Sequence, residues 1–135
     1  MDDPMNRPGA KNSNRTLGKS GEKAALNFFT QRGYTLLERN YRVPCGEIDL
    51  IFEKQQVLIF VEVKARRSSR YGLPQEAVGH TKQQRIIKAA MWYCQEKGLQ
   101  DCELRFDVIA LMFHPDGRCD VDHIPNAFDG TDRGL

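Results

Sequence analysis

Three charged residues interrupt two otherwise apolar segments of the chain. Asp49 lies in the first segment, while Glu62 and Lys64 follow the apolar run over residues 57–61. Side chains two residues apart in a strand project from the same face, so we expect Glu62 and Lys64 to share one. If the segments pair as a hairpin centred on residues 55–56, Asp49 lies directly opposite Glu62. Two facing carboxylates repel, and a divalent metal between them removes the repulsion.

Such a group of residues is suited to binding a divalent cation that acts on a phosphate. Mg²⁺ prefers oxygen ligands and keeps several waters, so Asp49, Glu62 and a backbone carbonyl such as that of Val63 suffice beside a substrate phosphate. Mn²⁺ is the alternative ion. The metal lowers the pKa of a bound water, while Lys64 orients the water or adds positive charge. The other interpretation is an ordinary ion pair between Glu62 and Lys64, with Asp49 half exposed beside the turn at Gly46.

The hydrophobic pattern predicts the elements that position these residues. A stripe with a 3.6-residue period from Leu17 to Phe29 predicts a first helix that ends at Gly33. Five strands and an intervening polar loop over residues 66–79 follow from alternation and turn signals. The predicted strands cover residues 34–43, 47–52, 57–65, 104–113 and 119–124. The order with a second helix is α-β-β-β-α-β-β, which predicts an α/β sandwich of two or three layers with a mixed sheet.

The second helix and the third strand carry the clearest burial predictions. We expect Thr81 to cap this helix and Gly98 to end it. Its predicted buried stripe consists of Ile86, Ile87, Ala90, Met91 and Cys94. The run over residues 57–61 is apolar on both faces, which is typical of a strand covered on both sides at the centre of a sheet.

Length and composition limit the class of protein. The 135 residues are 40% hydrophobic and 28% charged, which predicts one globular domain over residues 17–124. A flexible basic arm over residues 1–16 and a polar tail over residues 125–135 flank it. No apolar run approaches the roughly 20 residues of a transmembrane helix, and the first residues lack the features of a secretory signal. The four cysteines form no C-x-x-C pair, so we expect a cytoplasmic protein without a membrane partner.

The distribution of charge favours a polyanion such as DNA or another nucleic acid as partner. Residues 1–100 hold 17 Lys and Arg against 10 Asp and Glu, whereas residues 101–135 hold 3 against 8. Basic side chains near the predicted site bind phosphates without reading sequence. The candidates for this contact are Arg66, Arg67 and Arg70 after the third strand, and Lys82, Gln83, Arg85 and Lys88 on the second helix. A solvated charged face is the alternative.

The segments around the three charged residues also carry a resemblance. Residues 46–51 read Gly-Glu-Ile-Asp-Leu-Ile, and residues 60–66 read Phe-Val-Glu-Val-Lys-Ala-Arg. Together they resemble the signature of the YraN-type family of bacterial proteins. Further matching residues are Gly18 to Glu22 with Ala25, Asn40 to Arg42, Tyr71 with Gly72, and Arg105 to Val108. The resemblance covers roughly Leu17 to Phe113.

The YraN-type family is similar to archaeal Holliday-junction resolvases within the PD-(D/E)xK nuclease superfamily. The resemblance therefore implies a restriction-endonuclease-like αβββαβ core and a metal-dependent endonuclease that cleaves DNA, branched or damaged DNA among its substrates. Asp49, Glu62 and Lys64 match the nuclease motif, although Ile48 replaces the usual Pro. Glu22 matches the acidic residue of the first helix that completes the metal site. A solvated Glu stabilised by the helix dipole is the alternative for Glu22.

Two other functions remain as alternatives. One is a nucleic-acid-binding or scaffold protein that keeps the nuclease fold with little or no turnover, and the other is an enzyme acting on an unrelated phosphate ester. Three ionised groups at the end of a buried strand are costly for a fold, and a protein without turnover has no reason to keep them. Their presence therefore favours the enzyme. Glu47 is a reserve candidate for the metal. The choice between DNA and RNA stays open, as does the oligomeric state, with a homodimer among the options.

Overall fold

The chain folds around one mixed five-stranded sheet with a helix on each face. The computed structural model describes residues 8–68 and 78–130. Its elements are α1 (Pro8–Gln31), β1 (Thr35–Val43), β2 (Gly46–Lys54), β3 (Val57–Arg67), α2 (His80–Glu96), β4 (Glu103–Phe113) and β5 (Cys119–Phe128). The strands lie in chain order across the sheet, and only β3 and β4 pair in parallel. The predicted α/β class, element order and mixed sheet are confirmed.

Strand β3 is the centre of the sheet and is covered on both sides, as its apolar run predicted. Leu58 and Phe60 pack with α2 in one cluster, whereas Ile59 and Val61 pack with α1 in the other. All four side chains are buried. Because α1 and α2 cover opposite faces, the fold has three layers.

Helix α1 approaches β3 closely because Gly21 has no side chain. A Cβ atom added at Gly21 would lie 2.6 Å from the Cβ of Ala65. One and two turns further along, Ala25 and Phe29 are fully buried against the sheet. The chain leaves the helix through Gly33, whose φ of +87° is readily adopted only by glycine.

The β2–β3 hairpin has the register that the sequence predicted. Its ladder runs from Lys54 opposite Val57 to Leu50 opposite Val61. The two-residue turn between the strands has positive φ at both positions, 52° and 69°, as tight hairpin turns require. Residues Asp49 and Glu62 therefore come directly after the last ladder pair.

Both ends of the predicted domain differ from the expectation. Helix α1 begins at Pro8, so the segment expected as a flexible arm is helical over residues 8–16. At the other end, β5 continues to Phe128, into the predicted polar tail. The ring of Phe128 stacks on Phe106 with centroids 5.1 Å apart, and this contact packs the added end of β5 against the sheet.

Two details of α2 were predicted wrongly. The N-cap is Gly79 and no side chain caps the helix, so Thr81 lies in the first turn instead. Met91 is 40% exposed, while Tyr93 takes a buried position. Tyr93 packs edge-on against Tyr41 of β1, with ring centroids 5.2 Å apart. No helix within the described ranges has the length and apolar character needed to cross a membrane.

A buried carboxylate, Asp107, joins β4 to β5. Its oxygens accept hydrogen bonds from the Arg105 guanidinium at 2.7 and 2.9 Å, from His123 Nε2 at 2.8 Å and from the Asn126 amide at 2.9 Å. Arg105 also donates to the Tyr34 hydroxyl at 2.8 Å. Burial raises the pKa of Asp107, but the three donors outweigh burial and hold the pKa below its ordinary value.

We expect Asp107→Asn to destabilise the fold by about 2–4 kcal/mol, because it leaves buried donors without an ionised acceptor. A depressed carboxyl pKa contributes stability above pH 4 that is lost as the pH falls through the folded-state pKa. The variant should therefore show a weaker loss of stability below pH 4. Urea denaturation at several pH values measures both effects. Asp120→Asn is the control, since Asp120 is 66% exposed and pairs with His114; an equal loss in both variants contradicts the prediction.

Candidate functional site

Two carboxyl groups, those of Asp49 and Glu62, meet where the β2–β3 ladder ends. The Val63 amide donates a hydrogen bond to Asp49 Oδ2 at 2.8 Å. Glu62 is only 7% exposed, and its carboxyl group is close enough to that of Asp49 to repel it. Burial, followed by repulsion from Glu62, raises the pKa of Asp49 to about 7. The pair thus retains a proton up to neutral pH.

Lys82 of α2 neutralises the second carboxylate. Its Nζ lies 2.5 Å from Glu62 Oε1. Burial lowers the pKa of Lys82, but the hydrogen bond and the charge of Glu62 outweigh burial and raise it. The positive charge also lowers the pKa of Asp49. Lys82, predicted to contact nucleic acid, is therefore placed within the carboxylate site, a role that only the tertiary structure reveals.

Lys64 and Arg66 line the same cleft as Glu62 and Lys82. The cleft lies on the α2 side of β3 and has a volume of about 510 Å³. Glu62 and Lys64 line it together, as their spacing predicted. The Nε of Arg66 is buried and has no hydrogen-bond partner in the part of the chain that the structure describes. A buried guanidinium nitrogen without a partner is suited to an anionic oxygen.

Glu22 lies on the other side of the sheet, in a second cleft of about 550 Å³ that Asp49 also lines. Arg39 Nε and Nη2 each lie 2.8 Å from Glu22 Oε1. The amide of Asn40 donates to both oxygens at 3.2 and 3.3 Å. Two residues of β1 thus hold Glu22 at the cleft. Its assignment to the metal site stays a prediction.

The two clefts share Val63 and Ala65, so the carboxylate pair lies between them. Within residues 8–68 and 78–130, no group of three or more His, Cys, Asp and Glu is close enough to hold a metal ion. The acidic groups that meet are Asp49 and Glu62. Mg²⁺ is usually bound through one or two carboxylates plus waters and substrate oxygens, and a pair of this kind fits it.

The other predicted residues lie around this centre. Gln83 Nε2 donates to the Val78 carbonyl at 2.8 Å, which ties the start of α2 to the segment before it. Arg67 and Arg85 are exposed, and Arg70 falls outside the described residues. Glu47, the reserve candidate, is exposed and pairs with Arg42 at 3.3 Å.

Removing the charge of Glu62 should lower the pKa of Asp49 from about 7. In Glu62→Gln the repulsion between the carboxylates disappears while the burial of Asp49 remains. The pKa of Asp49 should therefore lie between its ordinary value of 3.8 and about 7. Because the metal-free fold binds this proton more tightly than the unfolded chain, wild-type stability should fall as the pH rises from about 4 to 7. In Glu62→Gln, where the Asp49 pKa is lower, this loss of stability should be complete at a lower pH. NMR titration of labelled carboxyl carbons measures the pKa, with the exposed Glu47→Gln as control. An Asp49 pKa that is the same in both variants contradicts the arrangement.

Comparison with known proteins identifies the family. The model of the family described as "Uncharacterised protein family UPF0102" matches residues 21–111, more than half of the chain. The chain belongs to the UPF0102 family. This is the YraN-type family of the sequence analysis, so the resemblance is confirmed, and Glu22, Asp49, Glu62, Lys64 and Lys82 all lie within the matched region.

Several UPF0102 proteins are similar to this chain over most of their length. The protein from Geotalea daltonii is 44% identical over 119 residues, which cover 88% of this chain and 94% of the relative. That from Syntrophotalea carbinolica is 46% identical over 114 residues, covering 84% and 92%. That from Syntrophus aciditrophicus is 47% identical over 116 residues, covering 86% and 91%. Each is named a UPF0102 protein.

Proposed function

We propose that this UPF0102 protein is a metal-dependent endonuclease that cleaves phosphodiester bonds in DNA, with branched or damaged DNA as candidate substrates. One observation carries the proposal. The half-buried Asp49 and the buried Glu62 lie side by side between two open clefts, with Lys64 and Lys82 lining the α2 side. Burial of like charges with a raised pKa is costly for a fold and is typical of functional sites.

The residues present fit a divalent cation such as Mg²⁺ or Mn²⁺. Asp49 and Glu62 supply carboxylate oxygens, and the Val63 carbonyl is the candidate for a third ligand. The proton that Asp49 retains near neutral pH marks the place where a cation would relieve the repulsion. A cation held there would polarise a phosphate oxygen and lower the pKa of a bound water.

The chain's own cations would act on the substrate phosphate. Lys64 lines the cleft beside Glu62, where its charge would orient a water or stabilise the charge that develops on the phosphate. The Nε of Arg66 in the same cleft, which has no hydrogen-bond partner among residues 8–68 and 78–130, supports an anionic oxygen as ligand. Lys82 would have to leave Glu62 in part when a cation binds, and its charge would then be available to the phosphate.

The element order supports a resolvase-like core for this site. Elements α1 to β4 follow the order αβββαβ, in which the second and third strands carry the nuclease motif. Strand β5 then extends the sheet beyond β4. In this arrangement β2 and β3 deliver their acidic residues from the hairpin to one end of the sheet, beside the start of α2.

The alternative is a nucleic-acid-binding or scaffold protein with little or no turnover. The observation that favours it is the 2.5 Å ion pair between Lys82 and Glu62, which neutralises one carboxylate without a metal. Binding of DNA by the wild type with no cleavage in either Mg²⁺ or Mn²⁺ would support this alternative.

Asp49→Asn should reduce metal-dependent cleavage at least 100-fold while binding to DNA survives, since removing a metal ligand affects mainly the chemical step. Lys64→Ala should lower turnover and leave metal affinity nearly unchanged. The assay uses linear, flap and four-way-junction DNA with Mg²⁺ or Mn²⁺, and Glu47→Gln as the matched acidic control. Cleavage by Asp49→Asn at the rate of the control contradicts the assignment.

Mg²⁺ or Mn²⁺ should raise the melting temperature of the wild type by a few degrees. At about ten times the Kd, binding to the native state contributes roughly 1.4 kcal/mol. Glu62→Gln should respond little, because it keeps only one of the two carboxylates, and the control Glu47→Gln should respond like the wild type. Differential scanning fluorimetry over a metal titration measures the shift. An equal response of wild type and Glu62→Gln means that Glu62 is not a ligand.

A further inference from the structure

The outer face of α2 exposes two large apolar side chains. Trp92, the single tryptophan of the chain, is 48% exposed, and Met91 is 40% exposed. They line a cleft of about 420 Å³ together with Lys88, Gln84 and Gln95. Tryptophan is usually largely buried, so an indole that is half exposed beside a cleft points to a ligand.

Beside this apolar cleft lies a more basic one, which shares Lys82 with the cleft around Glu62. This neighbouring cleft has a volume of about 790 Å³ and is lined by Arg42, Lys82 and Arg85, with Glu47 as its acidic residue. Cys45, in the β1–β2 turn, lines both clefts. The turn lies tightly against α2, because a Cβ atom added at Gly46 would collide with the carbonyl oxygen of Arg85.

The face carries positive charge between the site and the indole. Lys82, Arg85 and Lys88 follow one another at three-residue intervals along α2, and all three are exposed. Across the part of the chain that the structure describes, no ion pair or side-chain hydrogen bond to Arg85 or Lys88 is found. From Lys82 to Trp92 the helix rises about 15 Å, the length of roughly four stacked nucleotides.

We infer that this face of α2 binds a single-stranded segment of nucleic acid, with a base stacked on Trp92 and phosphates against Lys88 and Arg85. Basic grooves with interleaved aromatic side chains bind unpaired strands, since every base offers a π-face for stacking. A base inside a duplex does not offer that face. The inference rests on the proposed function, because the strand held here leads to the carboxylate pair, and it narrows the substrate to DNA with an unpaired segment beside the cut.

Because Trp92 is the only tryptophan, its fluorescence reports directly on stacking. Wild-type protein in EDTA, where no metal-dependent cleavage occurs, is titrated with oligo(dT) and with a duplex of equal length. We expect oligo(dT) to quench the emission at saturation and the duplex to leave it nearly unchanged. Anisotropy of labelled oligonucleotides gives Kd values for wild type and variants.

Trp92→Ala should raise the Kd for oligo(dT) roughly 5- to 100-fold, the range expected for loss of one base–aromatic stack. Trp92→Phe should restore most of the affinity, and Trp92→Leu should not, because it is apolar without a π-face. The Kd for duplex should change less than about twofold in all three. Val121→Ala is the control, since Val121 is an exposed apolar residue, 42% accessible, on the distant strand β5.

Three results overturn the inference: no quenching by oligo(dT), Trp92→Leu binding as well as Trp92→Phe, or duplex affinity falling as much as single-strand affinity. If no nucleic acid quenched the emission, a protein partner would be the remaining candidate for this face of α2. The outcome is separable from the proposed function. Quenching by oligo(dT) without cleavage in the presence of metal would support single-strand binding and reject the nuclease. Cleavage of a flap substrate that Trp92→Ala leaves unchanged would support the nuclease and reject single-strand binding at Trp92.

Discussion

The fold places two carboxyl groups of like charge side by side in a nearly buried position, and its surrounding elements are arranged around that repulsion. Asp49 and Glu62 come directly after the last pair of the β2–β3 ladder, where Asp49 accepts the amide of Val63 in place of a strand partner. Helix α2 supplies Lys82 to Glu62. Helix α1, held close to β3 by Gly21, brings Glu22 to the cleft beside Asp49. All three layers of the sandwich therefore contribute to one end of the hairpin.

The half-buried Asp49 and the buried Asp107 show the difference between a carboxylate available for chemistry and a structural one. Asp107 accepts four hydrogen bonds from three residues, all within 3 Å, and has a lowered pKa, so it is a satisfied structural acceptor. Asp49 has one backbone donor and a pKa raised to about 7 by burial and by Glu62. A carboxyl group that the fold leaves with its proton near neutral pH gains from a cation, whereas one that is already saturated does not. The number of hydrogen bonds that each carboxylate accepts therefore distinguishes Asp49, which is available to bind a cation, from Asp107, which is not.

The sequence was sufficient for the hairpin and the central strand, because a two-residue turn and an apolar run fix register and burial locally. It was insufficient where distant elements decide. Lys82 has the pattern of one more surface cation until α2 is packed beside Glu62. Met91 falls on the helical stripe and was predicted to be buried, whereas Tyr93, packed edge-on against Tyr41 of the distant strand β1, is buried instead. Trp92 has a local signal in the sequence, because it is a large apolar residue that lies outside the apolar stripe of α2. The role of Asp107 depends on His123 and Asn126 of β5, sixteen and nineteen residues away.

The central claim, that Asp49 and Glu62 jointly hold a divalent cation, is tested most directly by anomalous diffraction from crystals grown with Mn²⁺. We expect a single strong anomalous peak about 2.1 Å from a carboxylate oxygen of each residue. We also expect the Lys82 ammonium group to withdraw from its 2.5 Å contact with Glu62. A map with no peak between the two carboxylates at saturating Mn²⁺, and with the Lys82–Glu62 ion pair intact, would contradict a shared cation.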